Sequence, residues 1–271
     1  RVEFAVKPGK AAAPARALEI KEAGDSVTVD TGTAKFTVSK AAFTLLESVE
    51  VGGKKVAGPG SVDITSADGK AFKAGKPAKV SWEYKGPVRA TLRVDGEYLG
   101  EGGAQFISYT TRLTFWAGSA AVRVDHSVRN SSPKEGNDAK IKEASLSLAF
   151  AGAREGGGTG WLAAPGLFVS HRHTGGAFPG RNAAFEKLAA EGGKVSVWVI
   201  PPKPGAGEKE AAPAGEPPPK KKRPAATGAV GYGEDFFALA DCAHKDSRVL
   251  LDFAPAASDE KRHKAASAPL H

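Results

Sequence analysis

Between Lys79 and Asn130 the chain alternates apolar and polar residues with a period of two, in four successive runs. Successive side chains of a β-strand project to opposite faces, so this pattern suits strands with one face buried and does not fit the 3.6-residue period of a helix. KVSWEYKG places Val80, Trp82 and Tyr84 on one face. PVRATLRVDG places Val88, Ala90, Leu92 and Val94 on one face, and Arg89, Thr91, Arg93 and Asp95 on the other. QFISYTTRLTFWAG sets Ile107, Tyr109, Leu113 and Phe115 against Ser108, Thr110, Arg112, Thr114 and Trp116. AVRVDHSVRN follows a turn at Ala117-Gly118-Ser119 and sets Val122, Val124, His126 and Val128 against Arg123, Asp125, Ser127 and Arg129.

The same period recurs outward from this block. DSVTVDTG and AKFTVSK read as strands joined at Thr31-Gly32, and Gly52-Gly53 and Asp68-Gly69 are hairpin signals between short apolar runs. IKEASLSLAF, KVSVWVIPP, FFALAD and RVLLDFAP read as further strands. NAAFEKLAAEGG, 182–193, has helix-forming composition and a glycine pair as its stop, so one short helix is expected there. Residues 201–228 are dense in Pro, Ala, Lys and Glu and poor in apolar residues, which predicts a flexible insertion. The expected organisation is an extended N-terminal arm at 1–17, a single β-domain at 18–257 interrupted by that insertion, and a polar tail at 258–271. The fold class is all-β: an antiparallel β-sandwich or barrel with one short helix.

The hydrophobic fraction of 41% supplies a core, and the lone Cys242 excludes an internal disulfide or a paired-cysteine metal site. No apolar run is long enough to span a membrane as a helix. The chain starts at Arg1 and contains no methionine, which leads to the expectation of a removed leader or of a piece of a longer product. The formal net charge of +8 favours acidic partners.

Asp125 directly precedes His126, but neighbours in a strand face opposite ways. His126 is therefore expected as a hydrogen-bonded core residue, and Asp125 as the partner of an arginine on the polar face. On that face Arg89, Arg93, Arg112 and Arg123 would form a basic stripe beside Trp116, suited to an acidic glycan through guanidinium forks and ring stacking. The competing expectation is a solvated face neutralised by Glu83, Asp95 and Asp125. His171 and His173 would project to one side of a strand, yet no third ligand is at hand, so no metal and no cofactor is assigned. PPPKKKRP, 217–224, has a basic run without aromatic interleaving, and no nucleic-acid partner is assigned. Asn130-Ser131-Ser132 fits the N-glycosylation pattern. Cys242 is expected to be an inert thiol.

VTVDTGTAKFTVSKAAFTLLESVEVGGKKV, GPVRATLRVDGEY and FISYTTRLTFWAGSAAVRVDHSV, in that order, resemble the N-terminal RIFT-related β-domain of exo-acting rhamnogalacturonan lyases and their YetA-like relatives. The resemblance covers about the first 150 residues and implies an extracellular or periplasmic, polysaccharide-related role. In those lyases a helical toroid follows the β-domain and helps to build the active cleft. This sequence carries none before His271, so no catalytic residue is transferred. The function expected is a non-catalytic exported domain associated with polysaccharide, with lyase activity only as part of a longer protein. The alternative is a structural subunit of a surface assembly that associates through its N-terminal arm.

Overall fold

The computed structural model describes residues 16–131, 137–158, 160–173, 187–202, 231–232, 236–240 and 242–254. The expected insertion, the polar tail and residues 1–15 of the arm lie almost wholly outside these residues.

Two antiparallel sheets share one core. The smaller is a five-strand meander of β1 (Glu19–Ala23), β2 (Ser26–Asp30), β3 (Ala34–Ser39), β4 (Ser48–Val51) and β5 (Lys54–Ala57). The larger contains β6 (Gly60–Ser66), β7 (Ala71–Ala74), β8 (Lys79–Lys85), β9 (Arg89–Leu99), β10 (Gln105–Trp116), β11 (Ala121–Arg129), β12 (Ala139–Ala149), β13 (Gly156–Gly158), β14 (Trp161–Ala164), β15 (Leu167–His173), β16 (Leu188–Glu191), β17 (Lys194–Ile200), β18 (Gly231–Tyr232), β19 (Phe237–Leu239) and β20 (His244–Asp252). Its order is β13-β14-β15-β20-β11-β10-β9-β7-β6-β12-β17-β16, with β8 on β9 and the β18–β19 pair on β12. The long sheet curls until β14 and β16, near its opposite ends, touch. The result is the half-barrel sandwich expected of an all-β chain with buried alternating faces. Strands before and after residues 203–230 join this one sheet: β17 and β19 both pair with β12.

The apolar faces read from the alternation meet in the middle. Val27, Val29, Phe36, Val38 and Val49 of the meander are fully buried against the larger sheet. The Phe36 ring lies 5.2 Å from that of Phe115 and 6.1 Å from that of Phe253, and Phe43 stacks on Tyr109 at 5.4 Å. Each such side chain stabilises the fold by about 1.5–3 kcal/mol relative to exposure. A polar bolt joins the sheets at one end. The buried Thr31 hydroxyl donates to Ser119 O (2.7 Å) and accepts from Ala34 N–H (3.0 Å), while Gly118 N–H donates to Thr31 O (2.7 Å).

Gly52 and Gly53, both at positive φ (58° and 76°), form the two-residue turn between β4 and β5, as expected of paired glycines. The same device overturns the expected helix. Gly192 and Gly193 (φ 59° and 73°) are not a helix stop but the turn joining β16 to β17, whose residues pair from Glu191↔Lys194 to Leu188↔Val197. Ala-Glu-Lys-Leu composition favours a helix only weakly, and the open edge of β17 supplied a hydrogen-bonded alternative. Among the described residues the helical geometry is confined to one 3₁₀ turn at Glu101–Gly103.

Two face assignments also change. Val88 lies in the β8–β9 turn and is exposed rather than inward. Between Trp82 and Tyr84 the β8–β9 register slips by one residue: Trp82 pairs with Leu92, and Tyr84 with Thr91. This bulge at Glu83 moves Tyr84 from the face of Trp82 to that of Arg89, Thr91 and Arg93.

Candidate functional site: the polar face of β8–β11

The register of the larger sheet stacks polar side chains in rows across the strands. Arg93, Arg112, Asp125, Arg248 and Arg172 are successive cross-strand partners on β9, β10, β11, β20 and β15. Thr91, Thr114 and Arg123 form the next row, and Arg89 opposes Trp116 beyond it. The residues expected to bind ligand, Arg89, Arg93, Arg112, Trp116 and Arg123, thus share one face.

Carboxylates interrupt that stripe. Arg93 grips Asp95 through Nε at 2.8 and 3.0 Å and Nη2 at 2.9 Å, and also reaches Glu83 at 3.4 Å. Arg112 Nε sits 2.8 and 2.9 Å from the two Glu83 oxygens. Asp125 receives Arg248 Nε at 2.5 Å and has Arg123 Nε at 2.9 Å. Burial alone would raise the Asp95 carboxyl, but the Arg93 fork, the Thr110 hydroxyl (2.6 Å) and the Arg112 charge outweigh it and hold Asp95 below its ordinary value. Glu97 shows the opposite balance: burial lifts it, with partial relief from Arg129. Arg89 has no ion-pair partner among the described residues. Its guanidinium lies 4.8 Å from the Tyr84 ring centre, and that of Arg123 lies 5.7 Å from the Trp116 ring centre.

His126 projects to the opposite, buried face. Its Nε2 is 2.9 Å from the Tyr98 hydroxyl and its Nδ1 is 2.8 Å from the Thr111 hydroxyl. Burial, and secondarily the Lys245 charge, push its pKa down to about 3, so the ring is neutral at physiological pH. Asp125 and His126 therefore do not form an acid/base pair. Between them they mark the two sides of one strand.

Sequence reasoning missed two residues of β20. Arg248 completes the ion-pair row through Asp125. Lys245 is buried on the inner face opposite Val128, where burial, partly offset by Asp246, lowers its pKa to about 7. Extending the alternation of RVLLDF back through HKDS would have placed Lys245 inward with Val249 and Leu251, and Arg248 outward.

The remaining candidates lie elsewhere in the chain. His171 and His173 both lie on β15, and His171 is buried opposite Val249. Among the described residues no three His, Cys, Asp or Glu side chains gather as a metal site. Asn130 is buried, and its amide donates to Asn137 O (2.7 Å) and Leu239 O (3.0 Å), so the glycosylation pattern is a structural amide instead. Cys242 is exposed in the left-handed turn (φ 59°) before β20. Residues 217–224 lie outside the described residues. No helix among the described residues is long and apolar enough to cross a membrane.

Residues 18–142, which span β1 to the first part of β12, match the family model of the PcRGLX-like protein central beta sandwich domain. The match covers less than half of the chain, and the strands it covers belong to the two-sheet sandwich described above. The matching domain is described as central, whereas the sequence motifs pointed to an N-terminal one. The uncharacterized protein YetA of Bacillus subtilis (strain 168) is 24% identical over 135 residues, covering 45% of this chain. The match spans 16% of YetA, so the chain corresponds to a small part of that relative. Strands β8–β11 lie within the region matched by the PcRGLX-like model, while β20 lies outside it.

Proposed function

We propose that this chain is an accessory, non-catalytic β-domain, acting outside the cytoplasm, whose β8–β11 face binds an acidic polysaccharide. The observation that carries the reading is the meeting of guanidinium groups and aromatic rings on one strand face of a rhamnogalacturonan lyase-related sandwich. Guanidinium forks match carboxylates bidentately, and Trp and Tyr rings present flat apolar surface to a sugar. The net charge of +8 would draw a polyanion toward the protein. His126 is buried on the other side of the sheet and held between two hydroxyls, so it supplies no proton-transfer group to this face. In a longer lyase-like protein, the face would hold polymer for a reaction carried out elsewhere.

The test is affinity electrophoresis and calorimetry of the full chain with polygalacturonate, and with neutral galactan as control. Binding to polygalacturonate that weakens steeply as salt is raised is the expected result. Failure to bind any acidic glycan at low salt would overturn the reading.

A further inference from the structure

Four side chains, one from each adjacent strand, alternate aromatic and cationic across the end of the polar face: Tyr84 of β8, Arg89 of β9, Trp116 of β10 and Arg123 of β11. Arg89 and Trp116 are direct cross-strand partners. Arg89 lies over Tyr84 and Arg123 over Trp116, which makes the row continuous. The bulge at Glu83 brings Tyr84 into it. Tyr84 (48% exposed) and Val88 (53%) are the large hydrophobic residues left exposed among the described residues, and they flank the same hairpin. The other three arginines of the predicted site contact a carboxylate; Arg89 contacts an aromatic ring instead.

Resting on the reading that this face binds acidic polysaccharide, we infer that the Tyr84–Arg89–Trp116–Arg123 row is its recognition subsite, and that it takes a uronate residue with the sugar ring on Trp116 and the carboxylate on Arg89. Arg93 and Arg112 are then framework. Their charges are already met by Asp95 and Glu83, and a ligand carboxylate would have to displace those partners. Arg89 requires no such exchange. Its side chain is held by the Tyr84 ring, which leaves the N–H edge of the guanidinium open to a bidentate partner. Tyr84 is in register with Thr91 and Trp116 with Arg89, so the two rings stand two strands apart and offset by two residues along them. A polymer touching both rings would therefore cross the strands obliquely rather than follow them.

The experiment compares the wild-type chain with Arg89→Ala, Arg89→Lys, Trp116→Ala and Arg112→Gln by calorimetry against polygalacturonate and its methyl ester, with unfolding midpoints measured in parallel. Arg89→Ala and Trp116→Ala are each expected to weaken polygalacturonate binding at least tenfold. Arg89→Lys should recover little of it, because an ammonium lacks the fork. Arg112→Gln should weaken it less than Arg89→Ala does, because Glu83 already holds the Arg112 guanidinium. The methyl ester, which has lost the carboxylate charge, should bind wild type about as weakly as Arg89→Ala binds the acid. Wild-type binding that survives Arg89→Ala and Trp116→Ala unchanged would overturn the subsite and leave the broader face standing. A wild-type chain that binds no acidic glycan would overturn the face itself, and the subsite with it.

Discussion

Acidification should destabilise the fold by about 3 kcal/mol through His126 alone. The native imidazole titrates at about 3 because it is buried near Lys245, whereas the ordinary value is 6.5. A base whose pKa falls on folding is protonated more readily in the unfolded chain. The stabilisation is therefore complete above pH 6.5 and is lost as the pH falls from 6.5 toward 3. At about pH 4.5 the unfolded histidine favours its proton by about a hundredfold while the folded one remains neutral, a difference of about 3 kcal/mol. Urea unfolding of wild type and His126→Gln at about pH 7.5 and about pH 4.5 isolates the effect. Asp68, Asp95 and Glu22, whose native pKa values are lowered, also lose stabilisation in acid, but they are common to both proteins and cancel in the difference. The variant should start less stable, having lost the Tyr98 and Thr111 contacts, and should then lose about 3 kcal/mol less on acidification. Equal losses in the two proteins, or an imidazole NMR titration of His126 centred near 6.5, would refute the reasoning.

Three further outcomes follow from the geometry. Gly96→Val should cost about 1–3 kcal/mol by overpacking, since a Cβ there would stand 2.5 Å from the Tyr109 hydroxyl in a ring-over-glycine pair; a shift in the urea midpoint measures it. Asn130→Ala should cost about 1–3 kcal/mol by removing the buried amide's hydrogen bonds to Asn137 O and Leu239 O, and peptide mapping of protein made in a glycosylating host should find Asn130 unmodified. Glu83→Gln should change stability by less than about 1 kcal/mol, because its bridges to Arg93 and Arg112 are partly solvated; thermal melting at low and high salt checks it.

The strands and their faces were legible wherever local chemistry and the buried sheet agreed. VRVDHSV shows why: its valines and His126 turn inward as the period requires, and its charged residues turn outward to neighbours that the alternation had placed on the same face. The common face of Arg89, Arg93, Arg112, Trp116 and Arg123 was legible for the same reason, as were Glu83, Asp95 and Asp125 as carboxylates paired with three of those arginines. What was hidden depended on pairing between distant segments. The edge of β17 drew 188–191 into a strand against the helical leaning of its alanines. A one-residue slip against β9 turned Tyr84 over, and nothing in KVSWEYKG marks that slip. Arg248 reached Asp125 only because β20 lies beside β11, more than a hundred residues away in the chain.

That position of β20 has a consequence for how the molecule is made. β20 lies between β11 and β15 and pairs with β11 along its whole length and with β15 from Ser247 to Asp252. A ribosome releasing this chain exposes β11 long before Asp252 has been synthesised. Until then β11 has a bare edge, and the Val124 and Val128 side of the sheet lacks a neighbour. The sheet can close only after nearly all of its other strands have emerged. During that interval the nascent chain is most open to pairing with the wrong strand, and a factor that shields the edge of β11 would have its greatest effect then.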